Sequence, residues 1–294
     1  MTTARALAAL LLTGSAAFAQ DQSALPPWEA SVTPSSRYVF EADLGDASVS
    51  VFRNGLAFGV GGPVSETTFV RLGMESEYAA YEFDNLTGFG LPDDGPDDLL
   101  FVELRPSIST YLNPNFGLYG GLILGAGGEP DADFGDALYY GGFVGFNYQI
   151  RPGLWIGTGV GATTQLEDNA LIVPLLTLDW TITDRLTLSA SGLTGRLTYK
   201  VDDNWSLFAD GRYEFREYRL ASDTVILPDG VLTDESVPLG LGVTYAVADN
   251  FSVSLSGGAI LWRSLELSDE DGDALVDEDA DVTGFVSASV KWSF

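Results

Sequence analysis

The chain holds no cysteine and no histidine in 294 residues. Without cysteine there is no disulfide framework, no thiol nucleophile and no thiolate metal site. Without histidine neither a Ser-His-Asp nor a Cys-His system can be built, and a histidine-based metal centre is excluded. Cations are scarce: 14 Lys+Arg stand against 42 Asp+Glu, a net charge of −28. So negative a chain repels phosphate backbones, which excludes nucleic acid as a partner. No run of about 18 apolar residues occurs, so no helix is expected to span a bilayer. The 34 glycines disfavour long helices.

What remains is alternation. The chain ends on Val286, Ala288, Val290, Trp292 and Phe294, interleaved with Ser287, Ser289, Lys291 and Ser293. Side chains of a strand have period two, so one face is apolar and the other polar. A terminal strand finishing on aromatics fits the closing strand of an outer-membrane β-barrel, with lipid outside, a polar lumen inside and aromatics at the interfaces. Val290, Trp292 and Phe294 are the expected insertion signal. The opposite terminus agrees. Arg5 precedes an apolar segment, Ala6 to Leu12, and Ala17-Phe18-Ala19 is an A-x-A site, which predicts a cleavable signal peptide over 1–19.

Residues 20–35 are aperiodic and rich in Pro and Ser, and are expected to form a flexible leader. From 36 to 294 we expect one all-β domain: a single antiparallel transmembrane barrel of about 14 strands, with 12 as the alternative. The predicted strands are 37–44, 47–60, 67–83, 99–112, 116–127, 138–150, 154–166, 171–182, 186–192, 195–201, 205–220, 236–247, 251–265 and 282–294. The phase slips near Arg53-Asn54-Gly55, which could mark a bulge or a turn. Short turns such as Asn113-Pro114-Asn115 and Arg151-Pro152-Gly153 alternate with longer connections at 84–98, 128–137, 221–235 and 266–281. Short periplasmic turns and longer, acidic external loops are the barrel arrangement. Tyr111, Tyr148, Trp155, Trp180, Tyr199, Trp205 and Tyr245 lie near the short turns and suggest a periplasmic aromatic girdle.

The few cations stand in the phase opposite to the apolar residues, as lumen residues should. The expected lumen or pore lining is Arg71, Glu75, Glu77, Glu103, Arg105, Asp179, Arg196, Lys200, Asp210, Arg212, Glu214, Arg216 and Lys291. These could line a polar channel or form a closed, salt-bridged interior, since buried charges need partners. Gly157 to Ala162 reads GTGVGA, but in an alternating strand rather than a strand-to-helix turn; glycines making room inside the lumen explain it better than a dinucleotide site. Asp269, Asp271 and Asp273 offer weak cation binding in a loop, without an EF-hand pattern. No metal centre, cofactor or catalytic residue is expected.

Three segments together resemble uncharacterised bacterial outer-membrane barrel proteins that carry a domain of unknown function: GRYEFREYRL at 211–220, DESVPLGLGVTYA at 234–246 and NFSVSLSGGAILWRSLEL at 250–267. The resemblance covers roughly the C-terminal half. It implies fold and location, and carries no substrate or active residue. The sequence-level expectation is a narrow passive pore for small solutes with cation preference. The alternative is a non-conducting structural or surface-interaction barrel. Expected partners are outer-membrane lipid, lipopolysaccharide and the barrel-assembly machinery; composition does not determine oligomeric state.

Overall fold

The computed structural model describes residues 27–89, 91–92, 95–167 and 170–294. The expected signal peptide lies outside the described residues, as do Asp93 and Asp94 of the first acidic loop. Sixteen strands follow one another: β1 (Glu29–Leu44), β2 (Ala47–Pro63), β3 (Thr68–Asp84), β4 (Asp98–Asn113), β5 (Phe116–Gly128), β6 (Leu138–Arg151), β7 (Leu154–Thr163), β8 (Leu171–Thr183), β9 (Leu186–Gly192), β10 (Thr194–Lys200), β11 (Trp205–Arg212), β12 (Glu214–Arg219), β13 (Val231–Ala248), β14 (Phe251–Ser268), β15 (Ala274–Ala280) and β16 (Thr283–Ser293). β11 with β12, and β15 with β16, are single crossings interrupted midway, because each pair runs along one neighbour: β13 in the first case, β14 in the second. The wall is therefore a closed antiparallel barrel of fourteen strands.

Closure is made by the chain ends. β1 pairs with β16 through Val32 opposite Trp292 and Tyr38 opposite Val286. Beyond the ladder, Phe294 N–H donates to the Ala30 carbonyl at 2.9 Å. Residues 29–35, expected to belong to a flexible leader, are wall strand. Their Ser, Thr and Pro content hid them, yet both edges are hydrogen-bonded because neighbouring strands stand on each side. The Arg53-Asn54-Gly55 segment makes no turn; β2 runs through it in register with β1 and β3. Residues 231–235 and 274–280, read from sequence as loop, are strand.

Several strands invert their chemistry along their length. In β3 the inward side chains near the turn end are Arg71, Glu75 and Glu77, while Met74 and Tyr78 are exposed outside. Past Tyr78 the same inward phase carries Ala79 and Tyr81, both buried, and the outward phase carries Glu82 and Asp84. β13 and β14 repeat this: Leu239, Leu241, Leu255 and Leu261 are exposed on the outer face, whereas Leu232, Leu265 and Leu267 are buried inside further along. Lipid solvates an apolar outer face and water a polar one. Such an inversion is expected where a barrel wall leaves an apolar surround and becomes an ordinary sheet with an apolar core.

That core is large. Val39, Val49, Val51, Tyr81, Leu99, Phe101, Tyr218, Leu232, Leu265 and Val276 form one buried cluster at the loop end. It exists because β12 leaves the wall at Tyr213. β10 ends opposite Arg212, so β12 has no wall neighbour on that side. It crosses instead to β5, where Arg219 stands opposite Gly128 and Glu129 N–H donates to the Arg219 carbonyl at 2.9 Å. Gly127 and Gly128 permit this approach: a Cβ on either would strike the Glu217 or Arg219 carbonyl. Asp281 N–H joins the Asp43 carbonyl at 2.8 Å, linking the β15–β16 junction to β1. At the loop end the fourteen-strand wall has narrowed to a ring of β1 to β5 and β12 to β15. β6, β7 and β8 stand outside this ring around a second cluster of Ile123, Phe143, Leu171, Val173 and Leu175. On the β9 side, no strand pairs with Leu171–Leu175 among the described residues. Pro174 removes one N–H from that free stretch, as suits a sheet edge.

Candidate functional site

The lumen has three layers along its axis. The loop-end layer is the apolar core just described. Beneath it lies a layer of ion pairs built by side chains from opposite walls. Arg53 of β2 donates to Asp234 of β13 at 2.7 Å and to Glu77 of β3 at 2.6 Å. Arg263 of β14 reaches the same Asp234 at 2.8 Å. The Tyr81 hydroxyl donates to Asp234 at 2.6 Å, and Arg53 bonds the Tyr81 and Tyr218 hydroxyl oxygens. Arg216 of β12 lies 3.4 Å from Glu77 and 3.8 Å from Glu75. Arg105 pairs with Glu103 and, at 3.8 Å, with Glu75; Glu103 also accepts the Tyr139 hydroxyl at 2.8 Å. Glu214 accepts Arg37 at 2.8 Å and Arg212 at 2.5 Å. Asp234 is 2 % exposed and Arg263 1 %. Charges so dry are held only by one another, and opening the axis would strand several at once.

The third layer, toward the turns, is a vestibule. Its wall is Ser31, Thr33, Ser35, Ser252, Ser254, Ser287 and Ser289 on one side, with Arg71 and Lys291 inward and exposed. Arg196 bonds Asp210 at 2.7 Å and lies 4.0 Å from the Phe208 ring centroid. Lys200 does not reach the lumen interior. It binds Asp203 of the following turn at 2.8 Å and holds that exposed carboxyl below the usual carboxylate range.

The expected lining residues thus separate. Glu75, Glu77, Glu103, Arg105, Arg212, Glu214 and Arg216 converge in the ion-paired layer. Arg71, Asp179, Arg196, Asp210 and Lys291 line the vestibule, and Lys200 belongs to the rim. Four charges of the ion-paired layer were missed. Arg37 stands in the inward phase and could have been found from it. Arg53 was hidden by its turn-like neighbours. Asp234 fell in a stretch read as acidic loop. Arg263 was masked by a bulge, where Leu261 and Trp262 oppose the single residue Val237 and reset the phase of β14.

Two expected girdle residues also turn inward. Tyr111 and Trp155 occupy lumen phases, and their rings meet edge-to-face at 5.8 Å across the concave wall. Tyr148, Tyr199, Trp205, Tyr245, Trp292 and Phe294 are exposed outward at the turn end. The glycines of β5 to β7 do not leave free space. Aromatic side chains occupy the space a Cβ would need: Tyr139 at Gly125, Tyr119 at Gly145 and Phe143 at Gly121. In the loop after β14, Asp269 serves the turn itself, its Oδ1 accepting Asp271 N–H at 3.0 Å and Asp273 N–H at 2.9 Å. Among the described residues no three acidic side chains converge as a metal site.

The architecture can be placed among known proteins. A family model described as a domain of unknown function, DUF6268, matches residues 106–293. The chain belongs to this family. No curated protein sequence matches the chain. A Pseudomonas aeruginosa FadL homologue superposes with a TM-score of 0.52 at 14 % identity, covering 90 % of each chain. The outer-membrane channel COG4313 from Pseudomonas putida F1 gives 0.50 at 11 % identity, over 93 % of this chain and 98 % of that one. At such identities the likeness concerns fold: this DUF6268 chain is an all-β barrel of the outer-membrane type.

Proposed function

We propose that the protein is an outer-membrane barrel with its turns in the periplasm, open there as a vestibule and shut along its axis toward the exterior. One observation carries the reading: Arg53, Glu77, Arg216, Asp234 and Arg263 tie β2, β3, β12, β13 and β14 together through the lumen. The dry core seals the axis above them. The reading is non-enzymatic. Export by the signal peptide over 1–19, assembly through the Trp292 and Phe294 strand, and contact with lipid and lipopolysaccharide belong to the same proposal.

Conduction through such a barrel requires β12 to withdraw. The acidic outer face of the loop end favours cations in that open state, as the sequence suggested. Recording from the purified barrel in planar bilayers tests this. The expected result is no steady open level in the native protein and frequent openings in Gly127→Val, whose side chain displaces β12 from β5. Openings of Gly127→Val should prefer cations at about 0.1 M salt and lose most of that preference near 1 M, where screening shortens to about 3 Å. A steady, cation-selective conductance in the native protein would replace this proposal with an open pore.

A further inference from the structure

The vestibule wall formed by β4 to β8 carries polar groups that the barrel itself does not use. Trp155 lies directly opposite Asp179 in the β7–β8 ladder and opposite Gln149 in the β6–β7 ladder. Side chains directly opposite on one face are neighbours. Tyr111 packs its ring against Trp155 at 5.8 Å, and Phe69 follows Tyr111 at 6.2 Å. Gly117 lies beneath this group. A Cβ there would stand 2.5 Å from Asn147 Oδ1 and 3.2 Å from the Tyr111 ring, so amide and ring share its surface.

Two acceptors in this group have no donor. Asn147 Oδ1 is buried without a hydrogen bond among the described residues. Asp179 is half-buried, and no ion pair or hydrogen bond holds its carboxylate among the described residues. The contrast with the ion-paired layer is sharp, since each of its carboxylates has a cation there. Along the ladder row from Asp179 come Ser189 and then Arg196, which Asp210 already holds. The exposed cation Arg71 stands opposite Ser107 on β4, four residues along that strand from Tyr111. A carboxylate, an orphan amide oxygen and two aromatic rings together suit a ligand that is positively charged and rich in N–H donors. The rings add a cation–π attraction, strongest for Trp. A buried acceptor is costly to leave unpaired, so a donor arriving from the ligand gains there.

We propose that Trp155, Tyr111, Asn147 and Asp179 form a periplasm-facing binding site for a small organic ammonium ion. The site rests on the vestibule wall and not on whether the axis ever opens. The probe is spermidine, titrated into the full-length barrel in detergent while intrinsic fluorescence is followed, with choline and maltose as comparisons. Spermidine should quench saturably, and Trp155→Phe should remove most of that signal. Asp179→Asn should weaken binding at least tenfold, and Asn147→Ala about tenfold, with the heat-modifiable band of the folded barrel unchanged. Choline, which has no N–H, should bind at least tenfold more weakly than spermidine. Three results overturn the proposal: no saturable binding of spermidine, equal affinity in Asp179→Asn, or maltose binding as tightly as spermidine, which would make the wall a sugar site. None of these depends on a conductance, so the proposed axial closure stands or falls separately.

Discussion

Arg53 and Asp234 are 181 residues apart in sequence, stand on strands that never pair, and meet at 2.7 Å inside the barrel. Their contact joins two walls across the axis. Arg263 shares the same carboxylate, so removing that acid strands Arg263 and leaves Arg53 to Glu77 alone. Asp234→Ala should destabilise the folded barrel by about 3–5 kcal/mol, as removal of one member of a buried ion pair does. Replacing Arg53 and Arg263 by Met together with Asp234→Leu should cost clearly less, because no charge is left alone. Urea unfolding in micelles, followed by band shift, compares the two. Equal losses would mean that the three residues do not act as one group.

The inversion of polarity along the strands predicts where charge is tolerated. Leu241 is 70 % exposed on the outer face of β13, within the apolar band. Leu241→Arg should cost about 2–4 kcal/mol if that position lies near the bilayer midplane. Glu82, outward on β3 beyond Tyr78, faces water in this arrangement, and Glu82→Arg should change stability by less than about 0.5 kcal/mol. Refolding titrations into lipid vesicles measure both. A Glu82→Arg penalty matching that of Leu241→Arg would place the bilayer edge elsewhere.

The bridge between β12 and β5 can be probed without background, because the chain has no native thiol. Leu220, at the end of β12, is fully buried. A Leu220→Cys variant should react with a maleimide only slowly. Adding Gly127→Val should speed labelling tenfold or more by lifting β12 off β5. Labelling already fast in the single variant would show that β12 is not held in the lumen.

Assembly gives a further test. Trp292 and Phe294 stack at 5.1 Å on the outer face beside the β1–β16 seam. Trp292→Asp, or deletion of Phe294, should reduce the heat-modifiable form in outer-membrane fractions several-fold, with unfolded chain accumulating in the periplasm. Undiminished assembly of both variants would remove the closing strand from the insertion step.

Strand identity and facing were legible because a membrane wall enforces period two over long stretches, and few other constraints act on it. The run ending at Phe294, the short turns and the inward phase of Glu77 or Arg216 all follow from that alternation. The lumen's state was not legible. Whether Arg216 lines a channel or closes it depends on β12 leaving the wall at Tyr213, and that depends on β10 ending one turn lower. Arg53, Asp234 and Arg263 were hidden locally, by turn-like neighbours, an acidic stretch and a bulge, and the Arg53–Asp234 contact joins strands that never pair, which no local pattern records. The inward turn of Tyr111 and Trp155 is decided by single-residue register, which a bulge or a turn can shift unseen. Sequence alone determined that this chain is a barrel wall, because solvation of each face acts residue by residue; only the tertiary structure decided that the wall folds into its own lumen, because that requires distant strands to exchange charge and apolar surface at once.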